Sequence, residues 1–545
     1  MMHDTFREGL TTGWKHIDAS DLIADTRYEA DVAIIGSGAG GGVTAEILAQ
    51  AGLKVIIIEE GPLRTSNDFR MREAEAYPTL YQESAARKTA VKAINILQGR
   101  CVGGSTTVNW TSSFRTPAET LNWWQTAHGL KSLSVEAMAP WFAQMERRLN
   151  VNPWHLPPNE NNAVLARGAE KLGIPVAVIP RNVKDCWNLG YCGMGCPTNA
   201  KQSMLLTTLP TALNLGATLM SRLRAERLEF SGPQATRLLA SALKIDGLHP
   251  SGVRVTVHAR HFVLAGGAIN SPALLLRSKA PDPYGVLGKR TFLHPTVISS
   301  GLFDHEIAGY AGAPQSIYSD HFLHNAAPQG DFLRGAVDGP LGFKLEVPPL
   351  HPVLFSTTLQ GFGEGHARLM QNFAKSQTIL ALVRDGFHPQ SQGGQVSLRR
   401  DGSPVLDYPL NDTYWEAARR ALLAMAEIQF AAGASWVTPV HEDSPGYTSW
   451  AEAKKSLAEL PLAPLRCRVV SAHVMGGCAM AASPESGVVS DDGRHFQIAN
   501  LSIHDGSAFP TSIGANPQLS IYGLIARNAS MLAAALTGEG KAAIL

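Results

Sequence analysis

The chain has 545 residues, with 47 Lys and Arg against 46 Asp and Glu, a formal net charge of +1 and only 17% charged residues. So even a balance, with no Lys/Arg cluster interleaved with aromatics, leaves no electrostatic footprint for nucleic acid and points to small molecules as partners. A hydrophobic share of 45% with 51 Gly and 33 Pro fits a folded protein with many tight turns, and the length exceeds what one core usually serves, so two regions are expected.

Residues 1–21 contain no apolar core of the length a secretory signal needs, and no run approaches the ~20 apolar residues of a membrane span. The expectation is a cytoplasmic protein, with peripheral contact to the inner membrane through a surface patch left open. Three of the six Cys, namely Cys186, Cys192 and Cys196, fall within eleven positions, which does not resemble a scattered disulfide framework.

Taken in chain order, residues 31–35 form a short β-like run that passes into Gly36-Ser37-Gly38-Ala39-Gly40-Gly41 and then into a helical stretch over 43–51. Gly36 permits a tight turn, Gly38 lets backbone approach a pyrophosphate, and Gly41 lets the helix sit against the strand, with phosphates at the helix N-terminus. A second apolar run at 54–58 ends at Glu59, whose carboxylate suits a ribose diol. Glu59 and Glu60 together would repel a 2′-phosphate, which counts against NADP. The fingerprint alone does not separate FAD from NAD.

Four further segments resemble the glucose-methanol-choline (GMC) oxidoreductases. Gly99-Arg100-Cys101-Val102-Gly103-Gly104-Ser105-Thr106-Thr107-Val108-Asn109, with Arg115 beyond it, is similar to the family's first signature, although Thr106 stands where Ser is frequent. The run from Gly267 to Ser278 is similar to the second signature, with Lys279 in place of a Gly. Leu293-His294-Pro295 matches a position where the family's chain leaves the cofactor domain, and His294 is taken as structural. The fourth segment joins Ser471-Ala472-His473-Val474-Met475-Gly476-Gly477 to Asp505-Gly506-Ser507 and Gly514-Ala515-Asn516-Pro517.

The resemblance implies an α/β fold: a Rossmann-type FAD-binding domain with an interleaved α+β substrate domain containing an antiparallel sheet. The segments divide into a discontinuous FAD domain at 28–115, 195–300 and 465–545, and a substrate or cap domain at 116–194 and 301–464. It further implies that Gly36, Gly38, Gly41, Glu59, Arg100, Gly104, Ser105, Asn109, Asp505 and Pro517 hold FAD, with His473 and Asn516 facing an alcohol. Chemistry agrees: alcohol oxidation needs a hydride acceptor, flavin N5, and a partner for the hydroxyl proton, a task suited to a neutral imidazole. His473 is thus the expected base, with Asn516 orienting the hydroxyl. His504, beside Asp505, reads as structural.

The stretch from Cys192 to Gln202 resembles the Cys-Gly-x-Gly-Cys loop and Lys-Gln pair of long-chain alcohol oxidases. Cys186, Cys192, Cys196 and Pro197 also match the C-x5-C-x3-C-P spacing of bacterial sugar dehydrogenases, where such cysteines ligate a 3Fe–4S cluster. Free thiols, or one disulfide with a thiol left over, stay open beside that cluster. Residues 393–408 read as two strands joined by an Asp401-Gly402 turn and belonging to the substrate-domain sheet, and 417–432 as a helix covering it.

The expected function is oxidation of an apolar alcohol, whether fatty, aromatic or sterol-like, with oxygen, a quinone or a redox protein as electron acceptor. The alternatives are a non-redox FAD-containing lyase of the same fold, or a sugar dehydrogenase passing electrons through an iron–sulfur cluster.

Overall fold

Val55–Ile58 reads Val-Ile-Ile-Ile and is buried on every residue, as are Val32, Ala33, Ile34 and Ile35 at the end of Thr26–Ile35. Continuous β-branched runs of this kind suit parallel strands covered on both faces. In the computed structural model, which describes residues 3–324, 339–359 and 361–538, these two strands lie side by side in a parallel core. Thr218–Ser221 and then Lys15–Asp18 extend it on one side, and Pro250–Leu264 on the other, all parallel.

Pro250–Leu264 is long enough to serve two partners. Its final residues, Phe262 to Leu264, take Leu501–Ile503 as a further parallel strand, while its first half runs antiparallel to Gln234–Leu243, which hairpins to Leu223–Ser231. A strand from near the chain's end is therefore built into the sheet that begins near residue 15. Helix Gln518–Thr537 lies against helices Ala39–Gln50 and Val135–Arg148.

That last helix corrects one expectation. Gln518–Thr537 is long and apolar enough to cross a membrane by length and composition, but most of it is buried within the protein. Packing between two other helices selects so apolar a sequence, with a few buried polar residues among them.

A second sheet is mixed. Ile94–Ile96 pairs in parallel with Val469–Ser471, which meets Thr296–Leu302 through one antiparallel pair. Ser376–Val383, Phe343–Glu346, Ile317–Ser319 and Ala177–Val178 then follow, all antiparallel, and Trp436–Pro439 pairs with Thr296–Leu302 on its other edge. Helix Asp412–Ala431 covers this sheet, contacting its strands at 296–302, 376–383 and 436–439. It begins before the expected 417, because Asn411 caps it by accepting from the Tyr414 N–H.

The expected hairpin forms from Gln395–Leu398 and Pro404–Asp407, with Gly402 at φ +80° in its turn. Contrary to expectation it does not join the substrate-domain sheet: it is a separate two-stranded ribbon. Val396 and Leu406 are buried, and both strands pack on helix Gly267–Arg277, which supplies the apolar face that a third strand would otherwise have provided.

Candidate active site

An elongated cavity of about 650 Å³ extends from the glycine turn at Gly36 and Gly38, past Glu59, Gly104, Ser105, Asn109, Asp505 and Pro517, to His473 and Asn516. The glycines of the turn do different work. Gly36 has φ +109°, and a Cβ there would lie 2.2 Å from the Ala265 carbonyl oxygen, so two strand ends cross there too closely for a side chain. A Cβ on Gly41 would lie 2.0 Å from the Gly36 carbonyl oxygen, which is the close helix–strand approach the motif implies. At Gly38 the nearest atom would be Gly104 Cα at 3.7 Å, so the fold itself does not require a glycine. Gly38 faces the cavity and caps helix Ala39–Gln50 without a side-chain hydrogen bond, leaving first-turn N–H groups for an anionic ligand.

Glu59 stands at the end of the second strand. Its Oε2 accepts from the Ser37 hydroxyl at 2.5 Å and the Ser37 N–H at 3.2 Å, and its Oε1 accepts from the Gly61 N–H at 2.9 Å. Burial pushes its pKa up, against those bonds. Oε1 keeps a lone pair for a hydroxyl donor from the cavity. Asp505 ties three segments together: Oδ2 accepts from the Ser271 hydroxyl at 2.6 Å and the Gly267 N–H at 2.8 Å, and Oδ1 from the Ser507 N–H at 2.8 Å. Burial raises its pKa as well. Ser105 accepts from the Gly99 N–H, and Asn109 donates to Gln518 Oε1 at 2.6 Å. An open cradle at Gly38, an uncapped helix end and a carboxylate for a ribose together fit FAD.

At the other end His473 is partly exposed to the cavity and Asn516 almost fully buried. Asn516 Nδ2 lies 3.5 Å from His473 Nε2 and donates to Glu346 Oε2 at 3.1 Å. Glu346 also accepts from Gln315 Nε2 at 2.5 Å, and its Oε1 lies 3.8 Å from Lys344 Nζ. Lys344 sits over the rings of Phe114 and Tyr318, 3.2 and 4.0 Å from their centroids. Burial pushes the Lys344 pKa down to about 8. Burial, with the Lys344 charge in support, pushes His473 down to about 3, so its imidazole is neutral at ordinary pH. His473 Nδ1 lies 2.9 Å from Nδ1 of His294, whose Nε2 accepts from the Gly514 N–H at 3.2 Å.

Two groups fall elsewhere. Arg100 does not line the cavity, and its guanidinium donates to Glu60 and to the Gly247 carbonyl. Among the described residues no grouping of three or more His, Cys, Asp or Glu is arranged to hold a metal ion, so Cys186, Cys192 and Cys196 are not gathered as cluster ligands. The Cys192 thiol instead accepts from Arg181 at 3.6 Å, and that of Cys196 contacts the Thr198 hydroxyl at 3.5 Å. The loop is held through its backbone: Lys201 Nζ donates to the carbonyls of Thr107, Asn109 and Cys192.

Sequence reasoning missed Gln315, Lys344, Glu346 and Gln518, which carry no local motif. His294 had a signal in Leu-His-Pro, though not one that named His473 as its partner. His504 is buried with Nδ1 2.9 Å from the Thr44 hydroxyl, the structural placement expected of it.

Two family models described as GMC oxidoreductase match the chain, over residues 77–296 and 389–524. A long-chain-alcohol oxidase of Arabidopsis thaliana is 28% identical over 521 residues, covering 91% of this chain and 68% of the relative. An uncharacterized GMC-type oxidoreductase of Mycobacterium tuberculosis is 30% identical over 512 residues, covering 93% and 76%. Among solved structures, formate oxidase of Aspergillus oryzae matches with a TM-score of 0.69 at 14% identity, covering 94% of this chain and 99% of its own. Pyridoxine 4-oxidase from Mesorbium loti matches with a TM-score of 0.65 at 19% identity, covering 91% and 97%; at these identities the two structures speak for the fold. The paired family matches, the shared fold and the cavity's glycine turn and buried carboxylates agree: the chain belongs to the GMC oxidoreductases and is an FAD-dependent oxidoreductase.

Proposed function

We propose that the protein oxidises an apolar alcohol to an aldehyde or ketone, at the end of the cavity where His473 and Asn516 meet. The observation that carries this reading is the wall beside that pair. Val470, three residues before His473, pairs across strands with Thr296, which pairs with Leu382. Leu380 follows on the same face, since strand residues two apart point the same way. Leu380, Leu382, Val470 and Trp110 line the cavity and pack with buried Ile298 and Val440. A polar pair set against an aliphatic wall suits a hydroxyl carried on an apolar body, and long-chain-alcohol oxidases are among the relatives.

Bound FAD supplies the acceptor for the hydride and its two electrons. Gly38, the uncapped helix start and Glu59 would hold its phosphates and a ribose, with Asp505 and Asn109 further along. His473 and Asn516 bind the substrate oxygen and so orient the C–H bond that breaks.

The test is anaerobic mixing of the holoprotein with straight-chain, aromatic and sterol alcohols. Loss of the oxidised flavin absorbance is expected with apolar alcohols, and a reduced rate with Leu382→Asp. An unchanged spectrum across the whole panel, with FAD demonstrably bound, would refute the reading.

A further inference from the structure

His473 presents two nitrogens, and the hydrogen bonds behind it decide which carries the proton. The Gly514 N–H donates to His294 Nε2 at 3.2 Å. A neutral imidazole has one N–H, so an acceptor at Nε2 puts the His294 proton on Nδ1. That Nδ1–H points at His473 Nδ1, 2.9 Å away, which must then accept. The remaining nitrogen of neutral His473, Nε2, therefore bears the proton, and Nε2 is the one beside Asn516 at the cavity.

The opposite arrangement, with a free pair on His473 Nε2, requires His473 Nδ1–H to donate to His294 Nδ1. His294 would then carry its proton on Nε2, directly facing the Gly514 N–H. Two donors would be buried against each other, at the cost of an unmade hydrogen bond.

Asn516 adds an independent constraint. Glu346 Oε2 requires an N–H from the Asn516 amide, so Nδ2 is the atom turned towards His473. Its second hydrogen and the His473 Nε2–H then converge from nitrogens 3.5 Å apart with no acceptor between them. Two donors so placed are a cradle for one oxygen.

We infer that His294 is a positioning residue that keeps the proton of neutral His473 on Nε2, so that His473 and Asn516 both donate to the substrate oxygen. This rests on the proposed alcohol oxidation only for the identity of that oxygen. It revises the role expected of His473, from proton acceptor to donor. The hydroxyl proton then passes to hydroxide from solvent, forming water and the alkoxide. The alkoxide's C–H bond would break with both electrons leaving as hydride, which bound FAD would take up, and its oxygen, still held by the two N–H groups, would become the carbonyl.

The charged and titratable groups facing the pair are Lys344 and Glu346 from strand Phe343–Glu346, and Arg384, which follows strand Ser376–Val383. Burial lowers the Lys344 pKa, so the test compares variants that share it.

Holoprotein labelled with 15N in its histidine rings reports the tautomer directly, with the His473 signals identified by their loss in His473→Gln. The wild type is expected to show Nε2–H at His473. His294→Asp, whose carboxylate accepts from His473 Nδ1–H, is expected to switch it to Nδ1–H. Where that variant does not retain FAD, His294→Asn, whose amide can donate or accept, is expected to give both tautomers.

In parallel, kcat/KM of the wild type is expected to climb about tenfold per pH unit through the neutral range, because no protein base limits alkoxide formation. His294→Asp is expected to level off above an imidazole pKa. A wild-type Nδ1–H signal, or identical pH profiles in the two proteins, would overturn the inference. The ring signals need no substrate, so failure of every alcohol to bleach the flavin would count against the proposed function and leave the tautomer assignment standing.

Discussion

The glycine turn offers a separation of two tasks that its motif fuses. Gly38→Ala and Gly40→Ala add the same methyl two residues apart on the same turn. At Gly40 the new Cβ would sit 1.6 Å from the His504 carbonyl oxygen and 2.6 Å from its carbon, both backbone, so helix Ala39–Gln50 must back away from the segment that carries Asp505. Overpacking against movable side chains costs ~1–3 kcal/mol, and rigid backbone places this site at the upper end or beyond. At Gly38, φ is −72° and the nearest atom would be 3.7 Å away, so the fold loses less than about 0.5 kcal/mol. The Gly38 methyl instead enters the cavity where a pyrophosphate would approach. Apoprotein melts and FAD titrations on both variants check this. Gly40→Ala should lower Tm before any cofactor is added, whereas Gly38→Ala should keep the apoprotein Tm and lose FAD affinity by tenfold or more, about 1.4 kcal/mol. A Gly38→Ala protein that binds FAD as tightly as the wild type would refute the assignment of that turn to the cofactor.

Burial pushes Asp385 up to about 7, although its Oδ2 accepts from the Leu293 N–H and the Tyr408 hydroxyl. A folded pKa above the ordinary value means stability that is complete below about 4 and is lost as pH rises through about 7, worth up to ~4 kcal/mol. Asp385→Asn should therefore make the decline between pH 4 and 8 in denaturant melts shallower, leaving the share carried by Glu59 and Asp505, and parallel curves for the two proteins would count against it. Arg148 Nε and Nη2 hold the buried carboxylate of Glu46, and Nη2 also reaches the Thr207 carbonyl. Arg148→Ala should destabilise by ~3 kcal/mol because it leaves Glu46 buried and unpaired, and a double variant with Glu46→Gln should recover part of that loss. Replacing Cys186, Cys192 and Cys196 together by Ser should leave alcohol-driven flavin bleaching unchanged, with no iron in either protein. Three iron atoms per wild-type chain and slower bleaching in the variant would show that the thiols do assemble a cluster.

What the sequence disclosed about the fold and the site follows the range of the interactions involved. The turn from Gly36 to Gly41 is legible because strand, turn and helix are consecutive, and Gly36 and Gly41 answer to backbone directly across the sheet or a few residues away. Gly40 lies in the same motif, yet its reason for being glycine is the carbonyl of His504, brought there by the last strand. Hydrophobic alternation revealed the 395–407 hairpin but not its neighbour, because the same pattern serves a sheet edge or a helix surface. His473 and Asn516 were legible through the family's motifs. Lys344 and Glu346 were not, since a buried ion pair on a strand differs from a solvated one only in what covers it. The Cys triple shows the converse: spacing alone suggested ligands, but ligation needs convergence in space, and the loop's hydrogen bonds run through Lys201 and backbone instead.

Asp505 accepts from the second signature at Gly267 and Ser271, and its preceding carbonyl confronts Gly40 of the first turn. The cofactor end of the cavity is thus closed only when Leu501–Ile503 has joined Pro250–Leu264, a pairing between segments far apart in sequence. The substrate end has the same dependence: His473 is set by His294 and Gly514, and Asn516 by Glu346, each on a different segment. Contacts of such long sequence separation form late, after their loop-closure entropy has been met by the rest of the core. FAD bound across the first turn and the last segments would stabilise that closed form by mass action. The contacts that shape the two ends of the cavity and those that join the chain's distant segments are therefore partly the same, at Gly40 and Asp505 on one side and at His294 on the other.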